Sequence, residues 1–191
     1  MPTVVITGAS GVVGNAALDH YLDEGWDVIA VSRRAPITSS SRPFRHLPLD
    51  LTDREATSAA LASIGKVDQL IYAALFELPG LVPGWSEELQ MRTNEAMLMN
   101  TVEGLRDRGL QHVVLLQGTK AYGVHLMPLR IPAKERQPRV QHENFYWLQE
   151  DYLKGRASEL GFTWTILRPQ FIFGGVVGAA MNLVPIIGLY G

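Results

Sequence analysis

The sequence has 191 residues, of which 47% are hydrophobic and 19% are charged, so it can bury one sizeable core and predicts a single domain. The formal net charge is -2 and the only adjacent arginines are Arg33 and Arg34, which argues against a nucleic-acid partner. Cysteine is absent, which excludes disulfides, thiolate nucleophiles and zinc-thiolate sites and is compatible with a cytoplasmic location.

Short apolar strands alternate with amphipathic helices along the chain. Strands are predicted at 3–7, 27–31, 44–49, 69–75, 112–117 and 163–167. Helices are predicted at 12–22, 53–64, 87–108 and 142–160, with Ser86 as a candidate N-cap of the third. Near-continuous apolar strands that alternate with helices predict an α/β fold, a doubly wound parallel sheet with helices on both faces.

The turn between the first strand and the first helix has the spacing G-x-x-G-x-x-G. Its glycines permit a tight turn and allow backbone amides to approach a pyrophosphate at the helix N-terminus. Such a turn also serves plain strand-to-helix geometry, but its place in the first βα unit favours a Rossmann-type dinucleotide site. The expected cofactor contacts are Gly8, Ser10, Gly11, Val12, Val13 and Gly14.

The second strand is followed by Ser32, Arg33 and Arg34. An NAD site usually has a carboxylate here, whereas a 2'-phosphate requires cations and hydroxyl donors. The residues therefore favour NADPH/NADP as cofactor, and a solvated basic turn is the alternative.

Further cofactor contacts are predicted after the third and fourth strands. Asp50, next to Leu51, can accept from the adenine amino group, while Thr52 or Asp53 can cap the next helix. The small side chains of Ala73 and Ala74 would let the cofactor cross the sheet, although tight packing explains them equally well.

Several short motifs follow one another along the chain. In order they are Ser32-Arg33-Arg34, Gly118-Thr119-Lys120-Ala121-Tyr122, Asn144-Phe145-Tyr146 with Glu150-Asp151, Arg168-Pro169 with Ile172-Phe173-Gly174, and Met181-Asn182. With these motifs the chain resembles extended, atypical short-chain dehydrogenases/reductases, and among them the progesterone 5β-reductase/iridoid synthase family of enone reductases.

The resemblance implies that Tyr146 and Lys120 are the catalytic residues. It also implies cofactor contacts by Gln117, Tyr146, Pro169 and Ile172. Ordinary members of the superfamily have a lysine four residues after the tyrosine, and here that position is Glu150. Without the resemblance, Tyr146 would more often be a core aromatic and Lys120 a solvated loop charge.

Two departures from the family pattern concern the pocket. Trp147 replaces a second tyrosine and is expected to change the pocket wall. Gly118 lies where ordinary members have a hydroxyl side chain, so the usual Ser-Tyr-Lys triad is not available.

The resemblance implies an NADPH-dependent reductase of an activated C=C bond in an unsaturated carbonyl substrate. A homodimer is the expected assembly. Carbonyl reduction, sugar epimerase or dehydratase chemistry, and NADP(H) sensing without turnover remain alternatives. No metal site is expected, because the five histidines show no spacing that presents two on one helical face. His125 and His142 flank the loop that contains Lys120, and a surface role is expected for both.

The chain is expected to divide into a cofactor domain, residues 1–168, and the start of a substrate-covering region, residues 169–191. The uncharged run 171–191 is long enough to cross a bilayer, but glycines, Pro185 and Asn182 interrupt it, so a buried loop and helix is preferred. The N-terminus has no charged n-region and does not predict a signal peptide. Members of the resembled family are longer, so a truncated sequence is expected.

Overall fold

The computed structural model describes residues 1–79, 83–176, 182 and 184–190. It contains one six-stranded sheet in the order β3-β2-β1-β4-β5-β6, and every neighbouring pair is parallel. The strands are β1 Thr3–Thr7, β2 Asp27–Ser32, β3 Arg45–Pro48, β4 Gln69–Tyr72, β5 His112–Leu116 and β6 Thr163–Leu167. The helices are α1 Val12–Asp23, α2 Arg54–Ala62, α3 Glu88–Leu105, α4 Phe145–Leu160 and α5 Val184–Tyr190. The predicted fold class is confirmed.

The core lies on both faces of the sheet because successive side chains of a strand point to opposite sides. Val4 and Ile6 of β1 pack in the cluster that contains Leu18 and Leu22 of α1. Val5 packs in the other cluster, which includes Leu61 of α2, Leu98 of α3 and Leu153 of α4. Helix α1 therefore covers one face, and α2, α3 and α4 cover the other.

The strand order reverses between β1 and β4, and this switch point positions the site. In a parallel sheet the chains that leave neighbouring strands at such a point diverge and open a crevice at the carboxyl ends. Strand β4 ends at Tyr72, three residues before the predicted end, because its partner β1 ends at Thr7 and the backbone turns away at Gly8. Ala73 and Ala74 thus lie in the loop beyond the strand.

One helix start differs from the sequence prediction by several residues, and one predicted N-cap is wrong. Helix α4 begins at Phe145 rather than at 142, because the side chain of Asn144 accepts from the Tyr146 amide and caps the helix. Ser86 does not cap α3: it lies in a short 3-10 turn, Pro83–Ser86, and Glu87 is the N-cap. At α2 the predicted cap is confirmed, since Asp53 accepts from the Ala56 amide at 2.9 Å.

In the C-terminal part, α5 presents Val184, Ile187 and Leu189 to solvent, and Phe171 and Phe173 of the preceding loop are exposed as well. The expectation of a buried loop and helix is therefore wrong for these side chains. Within the described residues, none of the helices combines the length and the apolar character required to traverse a bilayer. Met181 of the last motif lies outside the described residues.

Candidate active site

A cleft of about 600 Å³ opens at the carboxyl ends of the central strands. The predicted cofactor residues line this cleft, with the exception of Gly14, Arg34 and Pro169. Those that line it are Gly8, Ser10, Gly11, Val12, Val13, Ser32, Arg33, Asp50, Leu51, Ala73, Ala74, Gln117, Tyr146 and Ile172.

The glycine turn forms one end of the cleft. Gly8 has a φ of 69°, and a Cβ there would collide with the backbone of Ala73. Gly14 packs behind the turn, where a Cβ would collide with the Gly8 carbonyl. The N-cap of α1 is Gly11, which provides no side-chain acceptor for the first-turn amides. This cradle fits the pyrophosphate of a dinucleotide, because unscreened amides at a helix N-terminus attract an anion.

The basic turn after β2 lies at the rim of the same end. The Ser32 hydroxyl donates to the Arg34 carbonyl at 2.6 Å, which shapes the turn. Arg33 is exposed and lines the cleft, whereas Arg34 is exposed outside it. Hydrogen bonds from the backbone and side chain of Thr52, assisted by the charge of Arg33, lower the pKa of Asp50. Asp50 is thus an ionised acceptor beside a cation.

An aromatic cluster lies beside the cleft: Phe145 and Tyr146 line it, whereas Trp85 and the predicted catalytic Lys120 do not. Trp85 packs against Phe145 with ring centroids 4.6 Å apart and against Tyr146 at 5.1 Å. The Lys120 ammonium lies 3.9 Å from the centroid of the Trp85 ring. The Trp85 indole nitrogen is 3.5 Å from a carboxylate oxygen of Glu77, which also lines the cleft. The structure thus brings Tyr146 and Lys120, from separate segments, to one indole ring.

The surroundings set the protonation of both groups. Burial, with a further contribution from the negative charge of Glu77, raises the pKa of Tyr146, so its phenol is a hydrogen-bond donor at neutral pH. Burial lowers the pKa of Lys120, and the charge of Glu77 opposes this. Glu77 therefore favours the protonated form of each group.

Glu150 belongs to an ion-pair cluster and not to the group of side chains around Trp85. Its carboxylate binds Arg168, lies 2.6 Å from the Lys154 ammonium and lies 3.4 Å from the Arg139 guanidinium. Burial by itself raises the pKa of Glu150, but the hydrogen bond from Lys154 and the three cations lower it overall. The carboxylate is therefore ionised at neutral pH.

The cluster reaches Tyr146 through Gln117. Arg168 Nε donates to the Gln117 side-chain oxygen at 2.9 Å, and Gln117 Nε2 donates to the Tyr146 carbonyl at 2.7 Å. Both ends of the Gln117 amide are therefore engaged within the protein, although the side chain lines the cleft. Glu150, Arg168 and Gln117 together join the ends of β5 and β6 to the first turn of α4.

Two expectations about neighbouring side chains change in the structure. Trp147 does not line the cleft, because its indole turns away and donates to the Ala121 carbonyl at 3.0 Å. His125 is not a simple surface residue: its ring lies 5.8 Å from Trp85 and 5.4 Å from His142, and its nitrogens are buried. Within the described part of the chain, no three acidic or histidine side chains form a metal-binding group.

Sequence reasoning did not identify Glu77, Trp85 or Asn144 as site residues. Glu77 and Trp85 come from the segment after β4, where no periodic pattern gives a signal. Asn144 could have been found, because an asparagine two residues before the tyrosine is typical of a helix N-cap.

Gly118 lies close to the Tyr146 hydroxyl, and its lack of a side chain keeps that hydroxyl uncrowded. A Cβ at this position would lie 3.3 Å from that oxygen, closer than ordinary packing allows. We expect Gly118→Ser to displace the hydroxyl and to lower kcat about tenfold, with little change in Tm because the backbone is extended here. The control is Gly155→Ala, whose added methyl would meet nothing within 4 Å; kcat should stay at the wild-type value. A Gly118→Ser protein with wild-type kcat would contradict this account.

The chain is similar to curated proteins over 97% of its length. It is 26% identical to (S)-8-oxocitronellyl enol synthase from Catharanthus roseus and 30% identical to 3-oxo-Delta(4,5)-steroid 5-beta-reductase from Arabidopsis thaliana. The matches cover 49% and 50% of those proteins, so the chain spans about half the length of the curated relatives it matches.

Solved structures support the fold. UDP-glucose 4-epimerase from Bifidobacterium longum, in complex with NAD+ and UDP, superposes with a TM-score of 0.70 at 19% identity, covering 87% of this chain and 52% of the epimerase. At this identity the likeness concerns the fold alone. Residues 4–179 match the family described as the NAD dependent epimerase/dehydratase family. Because that match extends over most of the sequence, the chain belongs to the NAD dependent epimerase/dehydratase family.

Proposed function

We propose that the protein is an NADPH-dependent reductase of an activated C=C bond in an enone or enal. The observation that carries this proposal is the meeting of Tyr146 and Lys120 around Trp85, beside the cleft that Tyr146 and the glycine turn both line. The similarity to an enol synthase and to a steroid 5-beta-reductase supports the same reaction class.

NADPH, when bound, supplies a hydride to the β-carbon of the unsaturated carbonyl compound. As negative charge develops on the carbonyl oxygen, the Tyr146 hydroxyl donates a hydrogen bond to it, and the Lys120 ammonium stabilises that charge. Both effects are stronger where water is excluded, and the surrounding side chains of Trp85 and Phe145 are buried. Ser10, Gly11 and Val12 would hold the cofactor pyrophosphate, and Arg33, with Arg34 next to it in the chain, would bind the 2'-phosphate.

Sugar epimerase or dehydratase chemistry is the main alternative, since it is part of the family's description. It usually requires a lysine four residues after the tyrosine, where this chain has Glu150. That carboxylate is ionised and paired with Arg168, so it cannot provide the cation. The paired Glu150 therefore favours the reductase.

The proposal is tested by measuring NADPH consumption with cyclic enones, linear enals and saturated ketones. Turnover of enones or enals alone is the expected result. Turnover of ketones alone would replace the proposal with carbonyl reduction, and NADPH binding without turnover of any compound would replace it with a sensor. UDP-sugar interconversion, followed by product chromatography, would favour the epimerase alternative.

We expect NADPH to bind at least about tenfold more tightly than NADH, a difference of about 1.4 kcal/mol, because the cations after β2 pair with the 2'-phosphate. Arg33→Ala should reduce this preference more than Arg34→Ala, since only Arg33 lines the cleft. The affinity for NADH should change little in either variant. Titration by fluorescence gives the six dissociation constants, and equal values for NADPH and NADH in the wild type would exclude the 2'-phosphate assignment.

Glu77 is expected to set the alkaline limit of activity. Its charge raises the pKa of both Lys120 and Tyr146, so Glu77→Gln should lower both values. Activity that requires the protonated groups is present below the lower pKa and is lost as the pH rises through it. The alkaline limb of kcat/KM should therefore move to lower pH, whichever group controls it. Glu87→Gln removes an exposed carboxylate and serves as control; an unmoved limb in Glu77→Gln would exclude this role.

A further inference from the structure

We infer that Asn144 is a positioning residue that holds the lysine-bearing turn against the tyrosine-bearing helix. The inference rests on the proposed function, because it assigns Lys120 and Tyr146 to one reaction. Two residues four apart on a helix keep their spacing through the helix itself. Lys120 and Tyr146 lie on separate segments, so tertiary contacts must set the distance between their reacting groups.

The Asn144 side chain contacts both segments with its two polar atoms. Its Oδ1 accepts from the Tyr146 amide at 2.9 Å, and its Nδ2 donates to the Lys120 carbonyl at 2.9 Å. The residue is 1% exposed, so no water competes for either bond. One planar amide thus links the backbones of the two proposed catalytic residues.

The chemistry of the link requires a carboxamide. One end must accept from a helix amide and the other must donate to a carbonyl, and asparagine provides both within one short side chain. Aspartate and serine cap helices about as well as asparagine, but an ionised aspartate cannot donate and serine is too short to span the two segments. These substitutions therefore separate the role of Asn144 as a cap from its role as a link.

The turn that contains Lys120 is held from other directions as well. The Lys120 carbonyl also accepts from the Gly123 amide at 3.0 Å, and Trp147 donates to the neighbouring Ala121 carbonyl from the same helix. Loss of the Asn144 link is therefore expected to shift the turn and not to unfold it. A shift of about 1 Å in a catalytic group is sufficient to reduce the rate about a hundredfold.

The test uses Asn144→Ser and Asn144→Asp, with Asp53→Ala as the control for loss of a helix cap outside the cleft. Both Asn144 variants should lower kcat for enone reduction about tenfold to a hundredfold while the NADPH dissociation constant stays within about twofold. Asp53→Ala should lower Tm by about 2–4 °C and leave kcat unchanged. Wild-type kcat in both Asn144 variants would overturn the inference.

A double-mutant comparison identifies the residue through which Asn144 acts. In the Lys120→Ala background, Asn144→Ser should cause no further loss of kcat, because the group that it positions is absent. Losses that multiply would show that Asn144 acts independently of Lys120 and would overturn the inference.

Amide hydrogen exchange provides a readout that needs no turnover. In both Asn144 variants the amides of residues 119–123 should exchange faster than in the wild type, and in Asp53→Ala they should not. If the wild type reduces no enone or enal, the proposed function fails, but exchange still reports on the link. Unchanged exchange rates at residues 119–123 in the Asn144 variants would show that Asn144 does not hold this turn, and would overturn the inference.

Discussion

Replacing Tyr146 with phenylalanine is expected to lower kcat about a hundredfold or more, which corresponds to about 2.7 kcal/mol of lost transition-state stabilisation. The phenol is largely buried and its pKa is raised, so it is neutral at physiological pH. In the proposed reaction it donates to the substrate oxygen as that oxygen acquires charge. The substitution keeps the ring that packs on Trp85 and Phe145. The NADPH affinity should therefore remain nearly intact, and steady-state kinetics together with cofactor titration measure both quantities.

The matched control is Tyr152→Phe, which removes a hydroxyl from the same helix. That hydroxyl donates to Glu103 at 2.8 Å and lies outside the cleft. We expect Tyr152→Phe to lower Tm and to leave kcat near the wild-type value. Full activity in a folded Tyr146→Phe protein would mean that another residue is the hydrogen-bond donor.

Lys120→Ala is expected to abolish most activity, and adding Glu150→Lys should not restore it. In an ordinary member of the superfamily a lysine at position 150 would be the working cation, so rescue is what that arrangement requires. Here a lysine would meet Arg168, Arg139 and Lys154 and would leave these cations without their carboxylate. Breaking a buried ion pair costs about 3–5 kcal/mol, so the double variant should also melt at a lower temperature.

The measurements are kcat/KM for NADPH-dependent reduction and Tm in the single and double variants. Glu150→Gln is the neutral control: it removes the carboxylate charge without adding a cation and should lower Tm less than Glu150→Lys. Recovery of kcat/KM in a folded double variant would mean that the lysine role belongs to position 150. A Tm of Glu150→Lys equal to that of the wild type would contradict the proposed importance of the ion-pair cluster.

The pH dependence of stability provides a check on the same cluster. The pKa of Glu150 is lowered in the folded state, so its ion pairs stabilise the fold above its unfolded value of about 4.5. This contribution is lost as the pH falls through the lowered pKa. As the pH falls, the free energy of unfolding should therefore decrease more in the wild type than in Glu150→Gln, because only the wild type loses these ion pairs.

Much of the fold follows from local sequence. Strand β1 begins and ends where the pattern predicts, because a buried strand requires consecutive apolar side chains on both faces. The bounds of β6 also match the prediction, although most of its side chains are exposed at the edge of the sheet. The glycine turn could also be predicted from the sequence, because the left-handed backbone at Gly8 and the close contacts at Gly14 permit no side chain. These features depend on residues that are near one another in the chain.

Other features depend on residues that are distant in the chain, and only the tertiary structure decided them. The end of β4 depends on where its partner β1 ends. The orientation of the Trp147 side chain depends on its hydrogen bond to a carbonyl of the turn that contains Lys120. The pairing of Glu150 with Arg168 depends on β6 and α4 lying side by side.

The sequence by itself therefore determined the order of the strands and helices, the parallel sheet and the glycine cradle, because periodicity and backbone sterics act over a few residues. The resemblance suggested that Tyr146 and Lys120 work together, but their meeting at Trp85 required the tertiary structure. The link through Asn144 also required the tertiary structure, because it joins two segments that do not belong to one helix. Contacts of this kind are set by the packing of α4 against the turn after β5, and no local pattern encodes that packing.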